Sequence, residues 1–259
     1  MNEYKKLLLE KKGNICVLKF NSPKNLNALS TESARELSAA LNEIEEDATV
    51  KIIIMTGEGK AFIGGADIKE MCNLNAVEGA AFAFMVSKVI TKMEKMSKVF
   101  IAAINGYALG AGMELTLGCD IRIFSSNAKT GLPETGLGVI PGSGGTQRLQ
   151  RLTGVGKANE LIFTGDIIDA DEALRIGIAN KVVAPEELMD AAFEIAEKIS
   201  RKSPVAVGIA KEAIQIGREL DLDRAIEVEK NLFGLCFSTA DQKEGMAAFI
   251  EKRDPIFGS

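Results

Sequence analysis

No histidine occurs anywhere in the 259 residues of this chain. A Ser-His-Asp triad, a Cys-His pair and the usual zinc sites are therefore excluded. Acid–base chemistry near neutral pH falls to carboxylates, Lys, Tyr, Cys or the backbone. Proline is scarce, at six residues, and no linker-like or low-complexity run interrupts the chain, which predicts one main domain with a helical appendage. The four cysteines, Cys16, Cys72, Cys119 and Cys236, form no CxxC pair. Widely spaced and mostly in apolar surroundings, they read as reduced core thiols in a reducing compartment. No excess of basic charge is present either: the net charge of −5 argues against a general nucleic-acid binder. A few local lysines remain sufficient to hold a phosphorylated ligand. The apolar run at residues 7–9 is too short for a signal peptide, and no segment approaches the length of a membrane span, so a cytoplasmic protein is expected.

What is present is an ordinary globular composition, 46% hydrophobic and 26% charged, in a chain long enough to bury a substantial core. Residues 7–11 and 15–20 predict two strands joined by a tight turn at Gly13-Asn14. Ser30 is placed to cap a helix over residues 31–47, with Leu37, Leu41 and Ile44 on one face. Buried strands are expected at 50–55, 99–104 and 120–125, a Gly-rich loop at 61–66, a short helix opening at 67–72, and helices at 77–96 and 109–118. This alternation predicts an α/β architecture with mainly parallel pairing. From residue 146 onward the pattern is almost wholly helical. A capping-box pattern at Asp169 to Glu172 precedes a helical stretch at 173–176, and 179–183 predicts a last short strand. Further helices are expected over 185–200, 204–217, 223–236 and 241–252.

Two stretches carry glycines beside a single Glu: Asn105-Gly106-Tyr107-Ala108-Leu109-Gly110-Ala111-Gly112-Met113-Glu114, and Gly131-Leu132-Pro133-Glu134 followed by Gly138 to Arg148. Glycines let main-chain N–H groups approach a ligand closely. The turn Leu109-Gly110-Ala111-Gly112 opens a helix, whose N-terminus offers free N–H groups, and Gly64-Gly65-Ala66-Asp67 repeats that strand-to-helix form. Each turn alone is also an ordinary connection. Glu114 lies in a run that is otherwise apolar, where a carboxylate is costly unless paired, hydrated or protonated. Glu134, after Pro133, reads by itself as a solvated loop residue. Together the two allow one carboxyl to act as acid and the other as base on a shared water. Two amides near an enolate oxygen then permit addition of water to a double bond conjugated to a carbonyl. Lys24 and Lys69 beside the loops are surface charges or phosphate partners. Gly142-Ser143-Gly144-Gly145 lacks the Lys-Ser/Thr ending of a P-loop.

At these residues the chain resembles the crotonase (enoyl-CoA hydratase/isomerase) family. The resemblance rests on six segments in order: Asn21-Ser22-Pro23-Lys24-Asn25-Leu26-Asn27-Ala28-Leu29, Ala61 to Met71, Asn105 to Glu114, Gly131 to Glu134, Pro141 to Leu149, and Phe237 to Arg253. Within the family it is most similar to bacterial short-chain hydratases that interconvert crotonyl-CoA and 3-hydroxybutyryl-CoA. The resemblance implies a crotonase spiral of repeated ββα units over residues 1–195 and a C-terminal helical trimerisation region over 196–259. It implies Glu114 and Glu134 as catalytic, and the amides of Ala66 and Ala111 as the oxyanion hole. Lys24, Leu26, Ala66, Asp67, Ile68, Lys69 and Gly142 would bind substrate and CoA. It further implies an acyl-CoA thioester substrate, no separate cofactor or metal, and a homotrimer or a hexamer built of two trimers. The chain departs from the family at Ala111, where Gly is usual, and at Thr130 and Leu132, which replace a common Phe and Gln.

Other reactions of the family stay in view, double-bond isomerisation above all, but isomerases generally keep one acid at the two positions. A few relatives bind RNA through a Lys-rich helix. The stretch 31–47 is acidic here, with Arg35 its only basic residue, so no nucleic-acid partner is expected.

Overall fold

The structure, a computed structural model, describes residues 4–258. The first two strands, β1 (Leu7–Lys12) and β2 (Ile15–Phe20), form an antiparallel hairpin. Ser30 then caps α1 (Thr31–Glu46), accepting from the Ser33 amide while the Ser33 side chain accepts from Ser30 N. The chain continues through β3 (Ile52–Gly57), β4 (Ala61–Ile63), α2 (Ile68–Met71), α3 (Ala76–Lys95), β5 (Val99–Ile104), β6 (Tyr107–Leu109), α4 (Ala111–Leu117), β7 (Ile121–Ser125) and β8 (Lys129–Gly131). After these come α5 (Gly145–Thr153), α6 (Val155–Thr164), β9 (Ile168–Asp169), α7 (Ala170–Arg175), β10 (Lys181–Val183), α8 (Leu188–Ser200), α9 (Pro204–Gly217), α10 (Leu222–Cys236) and α11 (Ala240–Glu251).

Two sheets result. The larger has the order β1-β2-β3-β5-β7-β10, parallel from β2 onward, and the smaller has the order β4-β6-β8-β9. Each pass of the chain gives one strand to the large sheet, one to the small sheet, and then helix: β3-β4 before α2 and α3, β5-β6 before α4, β7-β8 before α5. This is the spiral of ββα units that the family resemblance implies, and the parallel α/β pairing that the sequence pattern predicts. The large sheet is covered on both faces, which is why its parallel strands read as unbroken apolar runs. Ile53, Met55, Phe100 and Ala102 face the cluster that includes α1 and α3 residues. Ile52, Ile54, Ile101 and Ala103 face Leu188, Ala191, Ala192 and Ala196 of α8. Helix α8 thus runs across the expected division at residue 195 and packs under the sheet.

Three local expectations are corrected. The stretch 61–66 is a loop only after Ile63, because residues 61–63 pair with β6. The helix expected from 109 begins at Ala111, with Leu109 in β6. At Asp169 the side chain accepts from Glu172 N as an N-cap, with α7 starting at Ala170.

Helix α9 is fastened to the core by a buried ammonium. Lys211 Nζ donates to Met93 O, Lys98 O and Asp120 Oδ2 at 2.8, 2.9 and 2.9 Å, and Asp120 Oδ2 also accepts from Phe100 N at 2.8 Å. Filling every donor of a buried charge is what makes its burial tolerable. Beyond α9 the packing changes character: α10, which packs on α9, has no buried residue. Phe233, Phe249 and Ile250 are 64%, 86% and 79% exposed. No helix among the described residues is long and apolar enough to cross a membrane.

Candidate active site

The site is assembled by the small sheet. Its strands β4, β6 and β8 are parallel, with Ile63 opposite Ala108 and Leu109 opposite Gly131. Three parallel strands must end on the same side, so the segments that follow them converge. After β4 comes Gly64-Gly65-Ala66, after β6 comes Gly110 and α4, and after β8 comes Leu132-Pro133-Glu134. Gly110 N donates to Gly131 O at 2.9 Å, extending the β6–β8 pairing past the strand ends. Gly110 caps α4 with φ +50°, and a Cβ there would lie 3.2 Å from Glu134 Oε1. Only glycine takes this turn with the Glu134 carboxyl laid against it. The two glutamates singled out in the sequence are thereby brought to one place.

Their environments differ. Glu114 lies one turn into α4 and is 2% exposed. Its Oε1 accepts from Ser143 N at 2.7 Å and from Gly145 N, the first residue of α5, at 2.8 Å. Burial pushes this carboxyl up, while the Gly145 and Ser143 amides and the Arg148 charge pull it back. Glu134 sits on a single 3-10 turn, Pro133–Leu137, and its Oε2 is buried with no hydrogen-bond partner among the described residues. Burial is the main cause that lifts its carboxyl to about 7, and the charge of Glu114 adds to the lift. One carboxyl is held by donors that favour its anion, and the other has none that do so on Oε2. This asymmetry separates a base from an acid.

Two amides lie on adjoining turns: a Cβ on Gly110 would come 3.9 Å from Gly65 Cα. Ala66 follows Gly65, and Ala111 is the first residue of α4. Among the described residues neither N–H donates a hydrogen bond, although their neighbours do: Asp67 N to Leu29 O at 2.9 Å, and Glu114 N to Gly110 O at 2.9 Å. Free donors at the start of a helix suit a developing negative charge.

The expected CoA-lining residues fall on two loops joined side by side. Gly64 N donates to Leu26 O at 2.8 Å and Leu29 N donates to Gly65 O at 2.8 Å. Lys24, Leu26, Ile68 and Lys69 are exposed on this surface. Asp67 has a structural duty as the N-cap of α2, its Oδ1 accepting from Lys69 N at 3.0 Å. Gly142 is exposed and adjoins Ser143. Thr130 and Leu132, two of the departures from the family pattern, are fully buried, and the Thr130 hydroxyl donates to Ala108 O at 2.8 Å.

Sequence reasoning missed two supports. Asn27, with φ +57°, locks the first loop: its Oδ1 accepts from Ser22 N at 2.7 Å, and its Nδ2 donates to Glu58 O and Ala61 O at 3.0 and 2.8 Å. The amides of Ser143 and Gly145, which hold Glu114, were also missed. The run Gly142-Ser143-Gly144-Gly145 was the available signal, read as glycines open to a ligand and as lacking a P-loop ending, not as a seat for Glu114.

Comparison with known proteins places the chain in a family. The sequence profile described as enoyl-CoA hydratase/isomerase matches residues 10–259. The chain is 52% identical over 252 residues to the short-chain-enoyl-CoA hydratase of Clostridium acetobutylicum, covering 97% of each. It is 49% identical over 255 residues to the crotonyl-CoA hydratase of Syntrophomonas wolfei, covering 98% of each. The crystal structure of an enoyl-CoA hydratase from Bacillus anthracis superposes with a TM-score of 0.94 at 42% identity, covering 98% of this chain and 99% of that one. With fold, paired glutamates and near full-length similarity in agreement, the chain belongs to the enoyl-CoA hydratase/isomerase family.

Proposed function

We propose that this protein is a short-chain enoyl-CoA hydratase that reversibly adds water, syn, across the C2–C3 double bond of crotonyl-CoA. The observation that carries the reading is the unequal pair of carboxyls: Glu114 on two amides, Glu134 lifted to about 7 with an unpartnered oxygen. The names of the relatives from Clostridium acetobutylicum and Syntrophomonas wolfei support it. The thioester oxygen accepts from the Ala66 and Ala111 amides. Ionised Glu114 takes a proton from water as the water oxygen bonds to C3. The electron pair of the double bond moves toward the thioester, and the resulting enolate is stabilised by the two amides. Protonated Glu134 delivers its proton to C2. The pair ends with one proton between its two carboxyls, as it began. Isomerisation needs a single acid and leaves the second buried glutamate without a task.

In this reading the pantetheine and nucleotide of CoA lie along Lys24–Leu26 and Ala66–Lys69, with Lys24 and Lys69 meeting phosphate. Both glutamates and Gly142 face the acyl end. The expected preference is for C4 over C10 substrates. Initial rates of hydration on a ladder of 2-enoyl-CoA lengths test it, with KM rising as salt screens the lysines. Equal kcat/KM on decenoyl-CoA refutes the short-chain assignment, and no hydration at any length refutes the function.

A homotrimer, or two trimers paired, is part of the same proposal. The unburied α10 and the exposed Phe233, Phe249 and Ile250 are apolar groups that an interface between copies of the chain would cover. Sedimentation equilibrium checks it, and the mass of a single chain overturns it. A cytoplasmic location is proposed as well, in keeping with the free thiols of Cys16, Cys72, Cys119 and Cys236.

A further inference from the structure

A salt bridge outside the reacting groups is built into the support of Glu114. Arg148 of α5 forms a two-pronged pair with Glu94 of α3: Nε to Oε1 at 2.8 Å and Nη2 to Oε2 at 2.7 Å. The side chains are only 12% and 16% exposed. The third prong, Nη1, donates to Ser143 O at 2.8 Å. Ser143 N is in turn one of the two donors on Glu114 Oε1. The guanidinium lies directly against Gly144, where a Cβ would come within 2.0 Å of Nη1 and where φ is +103°. The amide donors of residues 143 and 145 are therefore clasped between Glu114 on one side and Arg148 on the other.

We propose that Arg148, held by Glu94, is a positioning residue for Glu114: it sets the 143–145 turn so that both amides point at one carboxylate oxygen. The proposal rests on the hydratase reading for what Glu114 does in turnover. A planar fork is needed, because one side chain must bind a carboxylate through two nitrogens and a carbonyl through a third. The charged groups facing Glu114 are Arg148 from α5 and Glu134 from the turn after β8, with Glu94 of α3 behind Arg148. The strands β4 and β6 packed against α4 carry no charged residue. Arg148 thus also supplies the positive charge that favours the Glu114 anion.

The test compares wild type with Arg148→Met, Arg148→Lys and Glu94→Gln. Misplacing a reacting group by about 1 Å costs on the order of a hundredfold, so Arg148→Met is expected to lower kcat by about that factor with KM within about threefold. The acid limb of kcat/KM should move to higher pH, because Glu114 works ionised and has lost a cation and well-aimed donors. Arg148→Lys should return the limb toward wild type while restoring only part of kcat, and Glu94→Gln should lower kcat by roughly tenfold. A fall in kcat with an unmoved acid limb, or kcat within about threefold of wild type in all three variants, overturns the proposal. If Arg148→Met does not fold, Arg148→Lys and Glu94→Gln decide it by the same split of kcat from KM. The carbon-13 titration of the Glu114 carboxyl needs no turnover. Its midpoint should rise in Arg148→Met where that folds, and by less in Arg148→Lys, which keeps the charge but not the fork. An unchanged midpoint contradicts the proposal even if wild type hydrates no enoyl-CoA, a result that would sink the hydratase reading alone.

Discussion

Glu134→Gln is expected to lower kcat for crotonyl-CoA hydration by about 10³–10⁴-fold, the upper range for loss of a positioned acid. KM should change much less, because the carboxyl acts on the reacting carbon and makes no contact with CoA in the proposed mechanism. The pH profile carries the sign. In the proposed mechanism Glu134 donates its proton, so activity should fall as pH rises through the value of about 7 to which burial lifts it. The alkaline limb of kcat/KM should therefore sit near neutrality in wild type and vanish from the residual rate of the variant. Two carboxyls this close titrate as a pair, so the limb reports the pair's upper apparent value. Glu134→Gln should also stop exchange of the C2 proton with solvent. Exchange at the wild-type rate would show that some other group delivers that proton.

The second large effect concerns an atom that no ordinary side-chain substitution removes. Ala111→Pro deletes the N–H proposed to bind the thioester oxygen. Position 111 is the first residue of α4, where proline's missing N–H breaks no helical bond and its fixed φ suits the helix. The fold should therefore survive, with circular dichroism and melting close to wild type. Loss of one oxyanion donor costs about 2.7–4 kcal/mol, so kcat should fall by about 10²–10³. A variant that folds and retains near-native kcat would remove Ala111 from the mechanism.

The large sheet was legible because most of its strands are apolar runs five or six long and rich in β-branched residues, as at Ile52–Gly57 and Val99–Ile104. The small sheet was not. Its strands β6, β8 and β9 are two or three residues long, too short for a periodicity, and they exist because the spiral lays them beside β4. That sheet brings Glu134 to Glu114, which explains why Glu134 read alone as a solvated loop residue. Glu114 stood out by local contrast, a charge within an apolar helix. The Ala66 and Ala111 turns were visible as glycine patterns, yet freedom of their N–H groups is a tertiary fact. Arg148 carried no signal, since an Arg in the first turns of a helix looks like any surface cation until Glu94 and Ser143 O are placed around it.

The central claim is that Glu114 and Glu134 act as one unit on one water, and a double-mutant cycle on kcat for crotonyl-CoA hydration tests it most directly. Glu114→Gln, Glu134→Gln and the double variant should all be crippled, with the double scarcely slower than the worse single, because removing either member already disables the unit. Near-native kcat in either single variant, or losses that simply multiply in the double, would contradict the account.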